Sequence, residues 1–226
     1  MREAHDLGVI FDMDGTLVDT LPVNYKFWQE YLAEFGIKPD RNLFISMLGK
    51  PIQVTSKVFK ETFNIDTHPL EMAAAINTKR LVYYSTHDLV ISPHLIPLLK
   101  SLQEHKVPMA VGTGSTHQLS QLLLNHNQLS QYFSAVVTSD DVSNDKPAPD
   151  TFELAAKKLG VSAKKCVVVG DSANDVGAAH AANMAIIGYV NNFNSAQTIA
   201  GAEKIISDYN QIDIAGLRQI VAQHAD

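Results

Sequence analysis

The run Leu7-Gly8-Val9-Ile10-Phe11 carries no polar side chain and none of the alternation that marks a strand wet on one face. Such a strand is covered on both sides, which confines the chain to an α/β architecture with a parallel sheet. The run breaks off into Asp12-Met13-Asp14-Gly15-Thr16-Leu17-Val18-Asp19-Thr20. In open α/β sheets ligands collect beyond the carboxyl ends of the strands, and extended backbone would send Asp12 and Asp14 the same way, able to share one ligand. Gly15 permits a tight turn there, and the Thr16 hydroxyl can tie it down.

The same punctuation recurs downstream. Met109-Ala110-Val111-Gly112 ends in Thr113-Gly114-Ser115-Thr116, and a helix with Leu119, Leu122 and Leu123 follows. Backbone N–H groups and hydroxyls at that helix start suit an anion, although an ordinary N-cap with a turn glycine has the same pattern. Ala135 to Thr138 leads through Ser139-Asp140-Asp141 to Lys146-Pro147-Ala148-Pro149-Asp150, a proline-stiffened loop with one lysine ahead of a helix whose apolar face is Phe152, Ala155, Ala156 and Leu159. Cys166 to Val169 ends in Gly170-Asp171-Ser172-Ala173-Asn174-Asp175. A cap at the next helix explains one of these carboxylates but hardly both, whereas Asp171 in the loop and Asp175 one turn on would face one crevice. Met184 to Tyr189 and Lys204 to Ile206 complete six strands, with Asn183 suited to a left-handed helix end.

Between Asp19 and about His87 the strands stop, and the apolar spacing is helical for about 65 residues. Phe27, Trp28, Tyr31, Leu32 and Phe35 form one stripe, closed by Gly36; Ile52, Phe59 and Phe63 form a second; Leu70, Ala73, Ala74, Asn77, Leu81 and Tyr84 form a third after Pro69. The expectation is a Rossmann-like parallel-sheet core over residues 1–18 and 88–226, with an inserted α-helical cap over 19–87. The helix Pro93 to His105 leads back into the core.

Four strand-end elements, Asp-Met-Asp-Gly-Thr at 12–16, Thr113-Gly114-Ser115, Lys146-Pro-x-Pro-Asp and Gly-Asp-Ser-x-x-Asp at 170–175, together resemble the signature of the haloacid dehalogenase superfamily, in the family's order and across essentially the whole chain. That resemblance implies a phosphoryl-transfer enzyme with Asp12 as nucleophile, Asp14 as acid and base, and Thr113 and Lys146 as catalytic phosphate and charge partners. It also implies Mg²⁺ held by Asp12, Asp14 through its backbone carbonyl, and Asp171, with Asp175 ligating directly or through water. Thr113, Gly114, Ser115 and Lys146 would bind the phosphate.

The helical insertion resembles the cap of the beta-phosphoglucomutase-like subgroup, which includes sugar-phosphate and phosphoglycolate phosphatases. Gly49 and Lys50, in Leu48-Gly49-Lys50-Pro51, stand where relatives carry a cap loop that reaches substrate; Lys50 is either an anion partner or a free surface lysine. The leading expectation is a phosphatase of small phosphorylated metabolites such as fructose 1-phosphate. A phosphomutase, a phosphonate-cleaving enzyme and a catalytically idle binding protein are the alternatives. A mutase would need an Arg and a His where this chain has Ile52 and Asn24, and the position of Lys50 fits the phosphonate-cleaving pattern poorly.

Composition removes other classes. A formal charge of −6 with only short basic pairs offers no footprint for nucleic acid. No apolar run approaches the roughly 20 residues of a membrane span, and the first residues lack a signal-peptide core, so the expectations are no membrane, a cytoplasmic location and, by default, a monomer. Cys166, the single cysteine, is expected to be a buried hydrophobe.

Overall fold

A computed structural model describes residues 5–225. Its elements in chain order are β1 (Gly8–Phe11), α1 (Leu21–Ala33), α2 (Arg41–Ile45), α3 (Ile52–Phe63), α4 (Pro69–Thr86), α5 (Leu95–Glu104), β2 (Met109–Gly112), α6 (His117–His126), β3 (Ala135–Val137), α7 (Asp150–Leu159), β4 (Cys166–Gly170), α8 (Ala173–Ala181), β5 (Ala185–Tyr189), β6 (Lys204–Ile206) and α9 (Ile214–Ala225). The six strands form one sheet in the order β3-β2-β1-β4-β5-β6, with every neighbouring pair parallel.

The absence of alternation in β1 has the expected cause. Val9 and Phe11 face a core with the leucines of α5 and α6 and with Leu217 of α9, while Ile10 faces the opposite core with Phe152, Ala155 and Ala156 of α7 and Ala178 of α8. Helices therefore cover both faces, and burying each such side chain contributes about 1.5–3 kcal/mol. β1 is central, so the loops that follow β1, β2 and β4 open side by side at one edge. Among the described residues no helix is long and apolar enough to cross a membrane.

Helices α1 to α4 interrupt the alternation and share a separate core of Phe27, Trp28, Leu32, Phe59, Met72 and Ile76, in which the Trp28 and Phe59 rings meet edge to face at 4.6 Å. The two connections to this layer run together. Val18 bridges Ile91 antiparallel, the Asp19 N–H bonds the Val90 carbonyl at 2.8 Å, and the Ser92 hydroxyl bonds the Thr16 carbonyl at 2.6 Å.

Two expectations about this layer need correction. α1 ends at Ala33, and Phe35 is 43% exposed, because the chain is already turning into Gly36 at φ +70°. The buried line of α4 is Met72, Ala73, Ile76, Arg80 and Tyr84, and Leu70 lies 60% exposed. This helix packs on α1 and α3 on one side and on α6 on another, so its apolar spacing alone does not define one inward stripe. The short α2, capped by the Asp40 carboxylate on the Asn42 N–H at 3.0 Å, has no counterpart in the sequence reading.

Candidate active site

The first acid emerges from the middle of the sheet. The Asp12 N–H still bonds the Val169 carbonyl of β4 at 2.8 Å, which fixes its backbone, and its side chain is buried. The Lys146 ammonium reaches in from the loop before α7 and bonds Asp12 Oδ1 and Asp175 Oδ1, each at 2.7 Å. Asp175 also closes a capping box with Ser172 at the start of α8, so one carboxylate serves both as cap and as ion-pair partner. Asp171 leaves the end of β4 and accepts from the Asn191 amide at 2.7 Å. Carboxylate oxygens of Asp12, Asp171 and Asp175 all lie within 4.8 Å of one another, and all three residues are buried.

Three buried carboxylates against one ammonium leave uncompensated negative charge, and the acidities record it. Burial pushes the Asp12 carboxyl up to about 7, with Lys146 pulling it back and Asp175 adding repulsion. Asp171 is raised well above the ordinary carboxyl range by burial, then by the charges of Asp12 and Asp175, with the Asn191 hydrogen bond opposing. Burial works against the charged form of Lys146, but Asp12 and Asp175 outweigh it and raise the ammonium's pKa. Clustered, acceptor-only oxygens with excess negative charge fit a hard divalent cation such as Mg²⁺.

Asp14 does not share that cluster. After Phe11 the chain folds into a turn in which the Leu17 and Val18 N–H groups bond the Met13 carbonyl and Gly15 adopts φ +80°, so the two aspartates point to different places. Asp14 Oδ1 accepts from the Thr20 hydroxyl at 2.5 Å and from the Arg80 guanidinium at 3.3 Å; its Oδ2 accepts from the Ser115 hydroxyl at 2.7 Å. Arg80 comes from α4 and also reaches Ser115 Oγ at 3.4 Å and Tyr84 Oη at 3.5 Å. The Tyr84 hydroxyl continues the chain to Asn24 Oδ1 at 2.6 Å.

The second element, Thr113 to Ser115, lies alongside. The Thr113 N–H bonds the Val137 carbonyl at 2.9 Å, and Thr113 Oγ1 accepts the Ser115 N–H at 3.1 Å, which shapes a loop of small residues at the end of β2. The inserted layer closes over it at two glycines. A Cβ on Gly114 would stand 3.0 Å from the Gly49 carbonyl, and one on Gly49 would stand 2.5 Å from Ser172 Oγ. The Asn174 amide bonds the Leu48 carbonyl at 2.6 Å, so the loop before α3 rests on the first turn of α8. On the far side Phe193, from the loop after β5, enters the helical core with the Arg41 guanidinium 4.7 Å over its ring.

Between the layers lies a cavity of about 80 Å³ lined by Asp12, Asp14, Thr113, Gly114 and Ser115 from below and by Gly49, Lys50, Ile52, Asn77 and Arg80 from above. Lys50 lines it half-buried. Lys146, Asp171 and Asp175 stand behind Asp12.

Sequence reasoning passed over Arg80, Asn191 and Phe193. Arg80 had a signal, a charge within a helix whose other buried positions are mostly apolar. Asn191 and Phe193 follow β5, so the strand-end rule that found the other loops applied there too.

A parallel sheet with acids and hydroxyls gathered at its carboxyl edge beneath a helical insertion defines a class of hydrolases. The family pattern of the haloacid dehalogenase-like hydrolases matches residues 9–189, and the chain belongs to that family. It is 40% identical over 177 residues to a fructose-1-phosphate phosphatase of Escherichia coli (strain K12), covering 78% of this chain and 93% of that protein. It is 29% identical over 224 residues to a phosphoglycolate phosphatase of Shigella boydii serotype 4, covering 88% and 87% of the two chains. A crystal structure of beta-phosphoglucomutase from Clostridium difficile superposes with a TM-score of 0.84 at 22% identity, over 96% of this chain and 98% of that one, a likeness of fold. The chain is an enzyme of the phosphatase type.

Proposed function

We propose that the protein is a Mg²⁺-dependent phosphatase of small phosphorylated metabolites, sugar phosphates such as fructose 1-phosphate foremost, working through an aspartyl phosphate on Asp12. The observation that carries this reading is the division of labour between the two aspartates. Asp12 is backed by Lys146 and two further carboxylates, while Asp14 is turned toward the cavity and the Thr113–Ser115 loop. The relative named as a fructose-1-phosphate phosphatase supports the choice of substrate.

A carboxylate approaching a phosphate dianion meets repulsion of roughly 8 kcal/mol at about 4 Å and an effective dielectric near 20. Mg²⁺ held by Asp12, Asp171 and the Asp14 backbone carbonyl, with Asp175 ligating directly or through water, would supply positive charge against that repulsion. Lys146 adds a fixed cation on Asp12. The Thr113 hydroxyl and the Gly114 N–H hold the phosphate oxygens, and the Ser115 hydroxyl joins them once it leaves Asp14. Asp12 attacks phosphorus, the bond to the leaving oxygen breaks, and Asp14 gives that oxygen its proton. Asp14 then takes a proton from the water that attacks the aspartyl phosphate, and phosphate leaves with Asp12 regenerated.

Residues 19–87 act as a cap on a core whose described part is 5–18 and 88–225, excluding bulk water while phosphorus is exposed. The cavity of about 80 Å³ is small against the roughly 300 Å³ at the lower end of ligand sites, which supports a cap that lifts to admit substrate. Hydrolysis is favoured over mutase chemistry because the two positions at which a mutase would need an Arg and a His hold neither. Ile52 is apolar and buried, and Asn24 is occupied with Tyr84. A phosphate-release screen over hexose phosphates, phosphoglycolate and nucleotides, with and without Mg²⁺, tests the reading; release that is indifferent to chelator, or no release from any ester, overturns it.

A further inference from the structure

Helix α4 lends the cavity Ile76, Asn77 and Arg80, and the last two, three residues apart, lie on one face of the helix. They differ in one respect. Arg80 is engaged with Asp14, Ser115 and Tyr84, whereas Asn77 Oδ1 is buried with no hydrogen-bond partner, the single such side-chain atom among the described residues. An unpaired buried amide oxygen is costly, and such an atom in a cavity wall is satisfied either by an ordered water or by a group of the ligand. As an acceptor it calls for a ligand donor. The neighbouring walls are Leu21, Trp28, Ile52 and Ile76, which suit a carbon skeleton, and the Thr113–Ser115 loop on the core side of the cavity suits the phosphate.

We propose that Asn77 accepts a hydrogen bond from a hydroxyl of the leaving alcohol, so that the site selects phosphate esters of polyols and sugars over those of plain alcohols. This rests on the phosphatase reading and gives it a specificity residue. A site that leaves a buried polar group unpaired with the wrong substrate discriminates far more strongly than one that only fills space.

The test compares kcat/KM for fructose 1-phosphate, glycerol 1-phosphate and propyl phosphate in the wild type, in Asn77→Leu, which keeps the branched heavy-atom shape with bulkier methyls and removes the acceptor, and in Asn77→Ala, which removes it without filling the cavity. The wild type should prefer glycerol 1-phosphate to propyl phosphate, and both variants should lose about tenfold or more of that preference. Both should also lose activity on fructose 1-phosphate relative to propyl phosphate. Thermal stability separates a specificity role from a structural one, because the amide oxygen holds nothing in the protein: the melting temperature should stay or rise. An unchanged ratio, as expected if a water alone satisfies the amide, overturns the proposal while leaving the phosphatase standing. A fall in Tm of more than about 4 °C, roughly 1–2 kcal/mol for a chain of this size, overturns it as well. No release from any ester overturns both.

Discussion

Replacing Arg80 by Met should loosen the closed cap. The guanidinium crosses from α4 to Asp14 at 3.3 Å, where a unit charge pair at an effective dielectric near 20 has a gross attraction of roughly 5 kcal/mol, offset by the desolvation of both groups. Stripping one partner from a fully buried pair costs about 3–5 kcal/mol because the other is stranded. Asp14 is not stranded here. Its side chain is 17% exposed and keeps the Thr20 and Ser115 hydroxyls as donors, so the loss falls to about 1–2 kcal/mol. The contact joins α4 to the loop after β1, so on the proposed cap movement that loss applies to the closed state relative to the open one.

Substrate affinity should weaken by at most the corresponding factor of about 5 to 30, with the full amount reached where the open state dominates before substrate binds. Steady-state KM with a sugar phosphate measures it, and Arg80→Lys, which keeps the charge without the planar fork, should recover part of the loss. The single tryptophan, Trp28, is buried and lines the cavity, so its emission gives a second reading of closure without turnover. A Met variant with KM within about twofold of wild type and unchanged Trp28 emission would refute the reasoning.

What the sequence disclosed and what it withheld follow from the range over which each feature is determined. The four inner strands β2, β1, β4 and β5 and their carboxyl-end loops were legible because continuous apolar runs have a local cause, burial on two faces, and because Asn183 at φ +60° and Gly160 at φ +71° sit where helix ends demand them. The direction of Asp14 was not, since it depends on a turn held by the Met13 carbonyl and on a partner, Ser115, that is 101 residues away. Arg80 shows the same limit. Helical spacing says that α4 is buried, but not which of its neighbours is core and which is cavity, and that distinction turns a misplaced charge into a cap-to-core contact. Asn191 was hidden differently: its amide spans Gly15 at 3.0 Å and Asp171 at 2.7 Å, tying the first and fourth elements together from a fifth loop.

Asp12→Asn should keep the fold and lose turnover, since an amide does not attack phosphorus; turnover above about one per cent of wild type would sink the covalent role. In chelator the same variant has a pH signature. The Asp12 carboxyl is raised from 3.8 to about 7 on folding, so between those values the folded chain binds the extra proton and stability falls as pH rises; the variant's gain in Tm over wild type should grow from about pH 4 to about pH 8. A gain that is flat or shrinks contradicts the burial of Asp12. Asn191→Ala should raise the Mg²⁺ needed for half-maximal activity about tenfold or more, because Asp171 loses its orienting donor, and an unchanged Mg²⁺ requirement would remove Asn191 from the site. The last expectation is that phosphate esters are hydrolysed and not isomerised. A mutase must release a bisphosphate and rebind it reversed, gripping the distal phosphate with the cap while the core handles the reacting one, and a bidentate guanidinium is the natural grip. Ile52 cannot supply it, Asn24 is no ionisable imidazole and is bonded to Tyr84, and Arg80 is committed across the cavity to Asp14. Incubation with beta-glucose 1-phosphate and a trace of the 1,6-bisphosphate should therefore release inorganic phosphate, where that sugar is accepted, with little glucose 6-phosphate. Glucose 6-phosphate forming faster than phosphate is released would mean that Lys50 or Arg80 swings to the distal phosphate, and that the cap supplies the second site after all.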